Sequence, residues 1–259
     1  MVRIRLLGPP AIERDGVPAP PPRGRKAWAL LAYLLLAERP LSRRHLAELL
    51  FGEADDPLGA LRWALAELRR ALGVPGLFGG DPVATTLGDG VEVDLHALTG
   101  EPADPRSLLE LDGELLDGLG VAASPTFESW LVVERYRLAA AAEARLRQAA
   151  LALLTSGQAG AAVAYASRAV ARNPLEEGNH ELLVRSLAAS GDRAAALRQV
   201  AVCEDILRRE LGVEALQGRP WPRWVARWST RSAAATRRAP SSCTRRCGWP
   251  PRPATARRL

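Results

Sequence analysis

The chain has 259 residues, room for two ordinary domains with separate cores, and its 47% apolar content suits a globular protein in water. No apolar run reaches the roughly 18 residues of a membrane span, MVRIRLLGPP lacks the apolar centre of a signal peptide, and three cysteines make neither a disulfide framework nor a zinc-ligand set, so a cytoplasmic protein is expected. The formal charge of +6 is unevenly placed: residues 1–72 carry net +4 and residues 73–217 net −9, while residues 218–259 hold 11 Arg and no acid.

Val2 to Leu7 alternates polar and apolar residues and predicts a strand. Gly8-Pro9-Pro10 turns the chain into a second short strand, Ala11 to Arg14, closed by Asp15-Gly16. Pro18 to Pro22 reads as a stiff connection. Arg25 to Ala37 (RKAWALLAYLLLA) is apolar after its first turn and predicts a helix buried on most sides, ended by Arg39-Pro40. Ser42 then caps a further helix, RRHLAELLF, with Leu46, Leu49 and Leu50 facing inward and Arg43, Arg44 and His45 in its first turn.

The segment from Asp55 to Leu72 is the most informative. Asp55 or Asp56 can cap a helix start, Pro57 fits the first helical position, and Gly73 sits where a helix ends. Leu58, Leu61, Leu65, Leu68 and Leu72 share one face; Gly59, Trp63, Ala66, Glu67 and Arg70 lie opposite, with Arg62 and Arg69 flanking. A helix with a leucine back and a front of small or flat side chains can pack on a domain and still enter a DNA major groove, about 12 Å wide. The other reading is an amphipathic surface helix with solvated arginines. The helices before it favour the first, because together they form a helix-turn-helix pattern.

Beyond Gly73, Leu77 to Val93 reads as a hairpin, with Val83 to Leu87 and Val91 to Val93 joined by a Gly88-Asp89-Gly90 turn. So placed it is a wing or a structural cover for the core; Thr85 and Thr86 are its polar donors and it has no arginine. Gly100 to Pro105 is the expected domain boundary, and from Leu108 the chain is expected to be helical to about Leu211. SGQAGAAVAYASRAVARNP at 156–174 aligns with SGDRAAALRQVAVCEDILR at 190–208, an offset of 34 residues that pairs Gly157 with Gly191, Ala162 with Ala196 and Ala169 with Cys203. That period is the tetratricopeptide pattern of stacked helix pairs, here over roughly 127–155, 159–172, 175–189 and 193–211. Such a module binds proteins along a concave face or serves as a rigid spacer. Trp130, Tyr136 and Tyr165 are groove-lining or core residues.

Residues 218–259 hold 4 of the 7 Trp and 2 of the 3 Cys with no sustained period. They read as a disordered basic arm that adds phosphate affinity, or as the product of a reading-frame shift after about Glu214, the reading the composition favours.

RLLGPPAI, GRKAWALLAYLLL, PLSRRHLAELLF, ALRWALAELRRALG and VEVDLHAL, in this order, resemble the OmpR-like winged helix of SARP-type transcriptional regulators. LLDGL, FESWLVVERYRL and the helical run to ELGVE resemble the bacterial transcriptional activator domain that follows it in that family. The chain departs from the pattern at Phe51, where the family usually has Trp, and in a wing without the usual aromatic. The expected fold is therefore mainly α. It comprises an N-terminal winged helix-turn-helix with a small β-sheet and wing hairpin over 1–98, an all-α tetratricopeptide-like repeat domain over 106–214, and a disordered tail over 218–259.

The reading that follows is a DNA-binding transcriptional activator. Arg62, Trp63, Arg69 and Arg70 are its candidate base contacts, Arg70 foremost, and Arg25, Lys26, Arg43, Arg44, Thr85 and Thr86 its candidate phosphate contacts. The resemblance implies direct-repeat sites bound by side-by-side dimers, recruitment of RNA polymerase, and in larger relatives a further ATPase module. A net charge of −9 on residues 73–217 fits a protein partner better than DNA. The alternative is an interaction scaffold without specific DNA binding. An enzyme is poorly supported: no P-loop, HExxH or CxxC is present, His45, His96 and His180 are scattered, and no cofactor, metal, membrane or small-molecule ligand is expected.

Overall fold

The computed structural model describes residues 1–216 except 75, 89, 101–104 and 122, with the backbone alone for 211–216; the expected tail and most of the expected boundary lie outside the described residues. Strand β1 (Val2–Arg5) pairs antiparallel with β2 (Ala11–Arg14), which pairs with β3 (Val17–Pro18). Asp15 (φ 51°) and Gly16 (φ 78°) both take the left-handed conformation that a two-residue hairpin needs. Pro18 therefore ends a strand rather than beginning a connection, and it sits at the sheet edge, where a missing N–H costs least.

Three helices follow as the capping and periodicity signals indicate: α1 (Arg25–Leu36), α2 (Arg43–Phe51) and α3 (Pro57–Leu72). Ser42 Oγ accepts the His45 N–H at the start of α2, and Asp56 Oδ1 accepts the Gly59 N–H at the start of α3. Their inner faces close on the sheet through Ile4, Leu6 and Ile12, Leu30 and Leu31, Leu46 and Leu50, and Leu61, Leu65, Leu68 and Leu72. Leu58 departs from the expected stripe and is 46% exposed. Since it lies within about 20° of Leu65 around the axis, its exposure is axial: the first turn of α3 projects past the core, and Ala64 and Ala71 complete the buried face instead.

The wing differs from expectation. Phe78–Gly79 (β4) pairs with Ala84–Thr85 (β5), and the backbone groups of Leu41 and Val83 bond to each other beside them. Val91–Val93 (β6) does not return to β5; it joins β1 in parallel, Ile4 opposite Val93, giving the order β3-β2-β1-β6. Asp94 explains the choice, because its Oδ2 accepts the N–H groups of Leu6 and Leu7, each at 2.8 Å, and Val93 enters the core. β5 and β6 thus belong to different sheets.

Two short helices, α4 (His96–Thr99) and α5 (Ser107–Glu110), lead to the second module. The expected continuous helix from Leu108 is interrupted at 111–124. There the chain runs back along the N-terminal strand: Gly8 N–H donates to Glu114 O and Leu116 N–H to Leu6 O, both at 2.8 Å. The approach demands glycine, since a Cβ on Gly113 would stand 2.6 Å from Gly8 Cα. Then come α6 (Pro125–Thr155), α7 (Ala159–Arg172), α8 (Glu177–Ala189) and α9 (Arg193–Leu216), close to the expected spans. The repeat is physical: Gly157 and Gly191 both have positive φ, and Ala162, Ala196, Ala169 and Cys203 are all buried at crossings. Met1–Leu207 makes one compact unit; residues 208–259 group separately, and of these only the end of α9 is described. Among the described residues no helix is long and apolar enough to cross a membrane.

Candidate nucleic-acid interface

Helix α3 is fixed at both ends. Asp56 caps its start, Gly73 (φ 70°) returns its N–H to Arg69 O, and the Arg14 guanidinium on β2 donates to Arg70 O at 2.7 Å and to Ala71 O at 3.1 Å. Orphan carbonyls at a helix C-terminus carry partial negative charge, so a guanidinium there both satisfies and stabilises them. The sequence offers no signal for Arg14, because the helix and its cap are more than fifty residues apart.

The outward face of α3 carries Arg62, Trp63, Ala66 and Arg70, with Leu58 at its edge. Trp63 is 51% exposed, and its ring edge lies over Gly24 at the start of α1. Arg62 reaches Asp56 at 3.4 Å. Arg70 pairs with Glu67 at 2.7 Å and donates to Pro21 O at 3.4 Å. Glu67, whose side chain is largely covered, also accepts the Arg23 N–H at 3.2 Å. The Arg70 hydrogen bond holds the Glu67 carboxyl below its usual range and lifts the guanidinium in turn. Glu67 is thus a buttress that aims Arg70. The three-residue spacing could have revealed it, because such pairs meet on a helix surface.

Two candidate contacts carry internal hydrogen bonds. Arg69 Nη2 donates to Phe78 O at 2.6 Å and ties α3 to β4. At about 20° around the axis from Leu58, it belongs to the side that meets the hairpin. Thr85 donates its hydroxyl to Leu34 O, closing β5 onto α1, so that donor is turned inward. Thr86 is exposed.

Among the other cations, Arg43 is anchored to the hairpin turn, its Nε donating to Gly80 O at 3.0 Å and its N–H to Asp81 Oδ1. Arg44 is exposed and pairs with Glu48 at 2.8 Å. Arg25 is exposed beside Gly120, and Lys26 Nζ stands 5.8 Å over the Phe51 ring. The structure therefore gathers Arg62, Trp63 and Arg70 on one face, with Gly24 and the Arg23 backbone bordering it. Arg43 stands with the hairpin, and Arg25 by the segment leading into α6.

In the helical module, Trp130 packs edge-on against Tyr33 at 4.6 Å and beside Phe127, joining α6 to α1, and Tyr165 is buried. Tyr136 instead is 76% exposed, next to the exposed Val132 and Val133. Buried Asn179 donates to Glu143 and accepts from Arg147, and buried His180 bridges Pro174 O and Gln199, both at 2.8 Å.

Residues 106–218 match the family model of the bacterial transcriptional activator domain. Among solved structures, Mycobacterium tuberculosis EmbR in complex with a low-affinity phosphopeptide aligns with a TM-score of 0.53 at 22% identity, over 91% of this chain and 70% of that one. At that identity the likeness shows a shared fold. No curated protein matches the chain.

Proposed function

We propose that this chain, a transcriptional regulator of the SARP type carrying a bacterial transcriptional activator domain, binds duplex DNA at promoters through α3 and activates transcription from there. The supporting observation is the state of α3: its back is buried, both ends are tied by Asp56 and Arg14, and its outward face carries Arg62, Trp63, Ala66 and Arg70. A rod about 10–12 Å across, fixed in this way, matches the width of the major groove. Arg70, aimed by Glu67, is the proposed base reader, and Arg62 and Trp63 flank it. Arg25, Lys26, Arg43, Arg44 and Thr86 remain proposed phosphate contacts, which set register and carry no sequence information.

The proposed modules are a winged helix over 1–98 and a helical repeat domain over 106–214. The second supplies the surface for RNA polymerase or for a second copy bound side by side on repeated sites. The exposed Val132, Val133 and Tyr136 on α6 suit a protein contact better than solvent.

Mobility-shift titration with the full chain tests this against selected and scrambled duplexes. Arg70→Ala should weaken the selected duplex by about 5- to 150-fold and narrow its margin over the scrambled one. Arg44→Ala should weaken both alike and flatten the salt dependence. Unchanged affinity and margin in Arg62→Ala and Arg70→Ala would reject α3 as reader and leave an interaction scaffold.

A further inference from the structure

The reading face of α3 is short of hydrogen-bonding groups. At 100° per residue its outward arc, about 100° wide, contains Arg62 at one edge and Arg70 and Trp63 toward the other, with Gly59 and Ala66 between them. The two cations lie eight residues apart, about 12 Å along the axis, or three to four base-pair steps. Between them along the axis a base pair meets carbon: the Ala66 methyl and the indole of Trp63, whose only polar atom is one N–H; Gly59, nearer the N-terminus, is covered by the Asp56 carboxylate. Trp63 is 51% exposed, a large apolar group left in water on the face proposed to enter DNA.

In the major groove thymine alone of the four bases presents a methyl group, at C5, beside its hydrogen-bonding atom. Covering amino or carbonyl edges with carbon would strand them without partners, a cost that selects against guanine, cytosine and adenine edges at those positions. Covering a methyl removes apolar surface from water on both sides. Ala66 at the centre lets the helix axis come close enough for that contact, and Trp63, steadied over Gly24, supplies the broad surface.

We infer that the half-site read by α3 has thymine methyl groups at its centre, covered by Trp63 and Ala66, between pairs read by Arg62 and Arg70. This rests on the proposed function, of which it specifies the ligand. The experiment uses the full chain to select a duplex from a randomised pool. That duplex is then made with thymine and with uracil, which differ only in the methyl. The uracil form should bind about fourfold more weakly for each methyl lost under α3. Uracil outside the footprint should have no effect, and Trp63→Ser should erase most of the difference. Both duplexes carry the same phosphates, so sequence-independent attraction by the basic tail cancels. Equal affinity for the two forms, with selection still successful, would overturn this inference alone. Failure of the pool to enrich any sequence would overturn the DNA-reading function, and this inference with it.

Discussion

Asp94 is a carboxylate placed where a carboxylate is costly. Burial pushes it above its usual range, although the Leu6 and Leu7 N–H groups that it accepts pull the other way, and its Oδ1 has no hydrogen-bond partner among the described residues. When the folded-state pKa is raised, the native state holds the proton more tightly than the unfolded chain, so this contribution to stability is complete below the ordinary carboxylate pKa, about 3.9, and lost as pH rises through the raised value. Asp94→Asn keeps an acceptor and removes the titration. The urea midpoint of the wild type should fall relative to the variant as pH is raised from about 4 toward 7, and a pH-independent difference would refute the assignment. Cys203 is the other displaced group, its thiol pushed up to about 11 by burial first and by Glu177 and Glu204 next. Site-resolved alkylation in native buffer at neutral pH should leave it unmodified, and urea should expose it. Its role as a small crossing residue is legible from the 34-residue alignment with Ala169; the position of Asp94 is not, because its partners lie more than eighty residues away.

Helix α3 shows what an element owes to each source. Its bounds, its cap and its C-terminal glycine are legible because all three depend on groups within a turn of the helix end. Asp56→Ala should cost about 1 kcal/mol, read as a lower urea midpoint with unchanged fold. Arg14→Ala should cost roughly 1–3 kcal/mol, since it leaves two carbonyls without their charged donor, and should also weaken DNA binding by letting the end of α3 move relative to the sheet. Chemical denaturation and mobility shift on the same sample separate the two effects; a variant with lost stability and intact DNA binding would confine Arg14 to folding. Strand partnership follows the opposite rule. A Gly-Asp-Gly turn between two Val-rich runs is a sound hairpin signal, yet β6 pairs with β1, because Val93 and Asp94 gain more from the core and the Leu6 and Leu7 N–H groups than from a hairpin with no buried face. The inward turn of Arg69 and Thr85 has the same origin: each finds a backbone carbonyl on an element that only the packed domain brings near.

Across the molecule, the segment at 114–117 locks the two modules into one body. It bonds to Leu6 and Gly8 just past β1 and Arg135 of α6 donates to Leu115 O, while a few residues earlier Leu111 O accepts from Arg168 and Arg172 of α7. Leu116, fully buried with φ 55°, lies at the centre. Leu116→Ala should cost about 2–5 kcal/mol and lower one shared transition, seen together in tryptophan fluorescence and helical circular dichroism. Two separated transitions would mean that the modules fold independently. A rigid junction also fixes where Val132, Val133 and Tyr136 stand relative to α3, so the proposed partner surface would keep a set place beside the proposed DNA-reading helix. The sequence alone determined the bounds of α1, α2 and α3, the caps of α2 and α3, the 34-residue repeat and the leucine-backed side of α3, because these rest on intervals of a few residues or on internal similarity. Which strand β6 joins, which arginines stay outward and how the modules meet were decided only by the tertiary structure, because each depends on a backbone group supplied from a distant part of the chain.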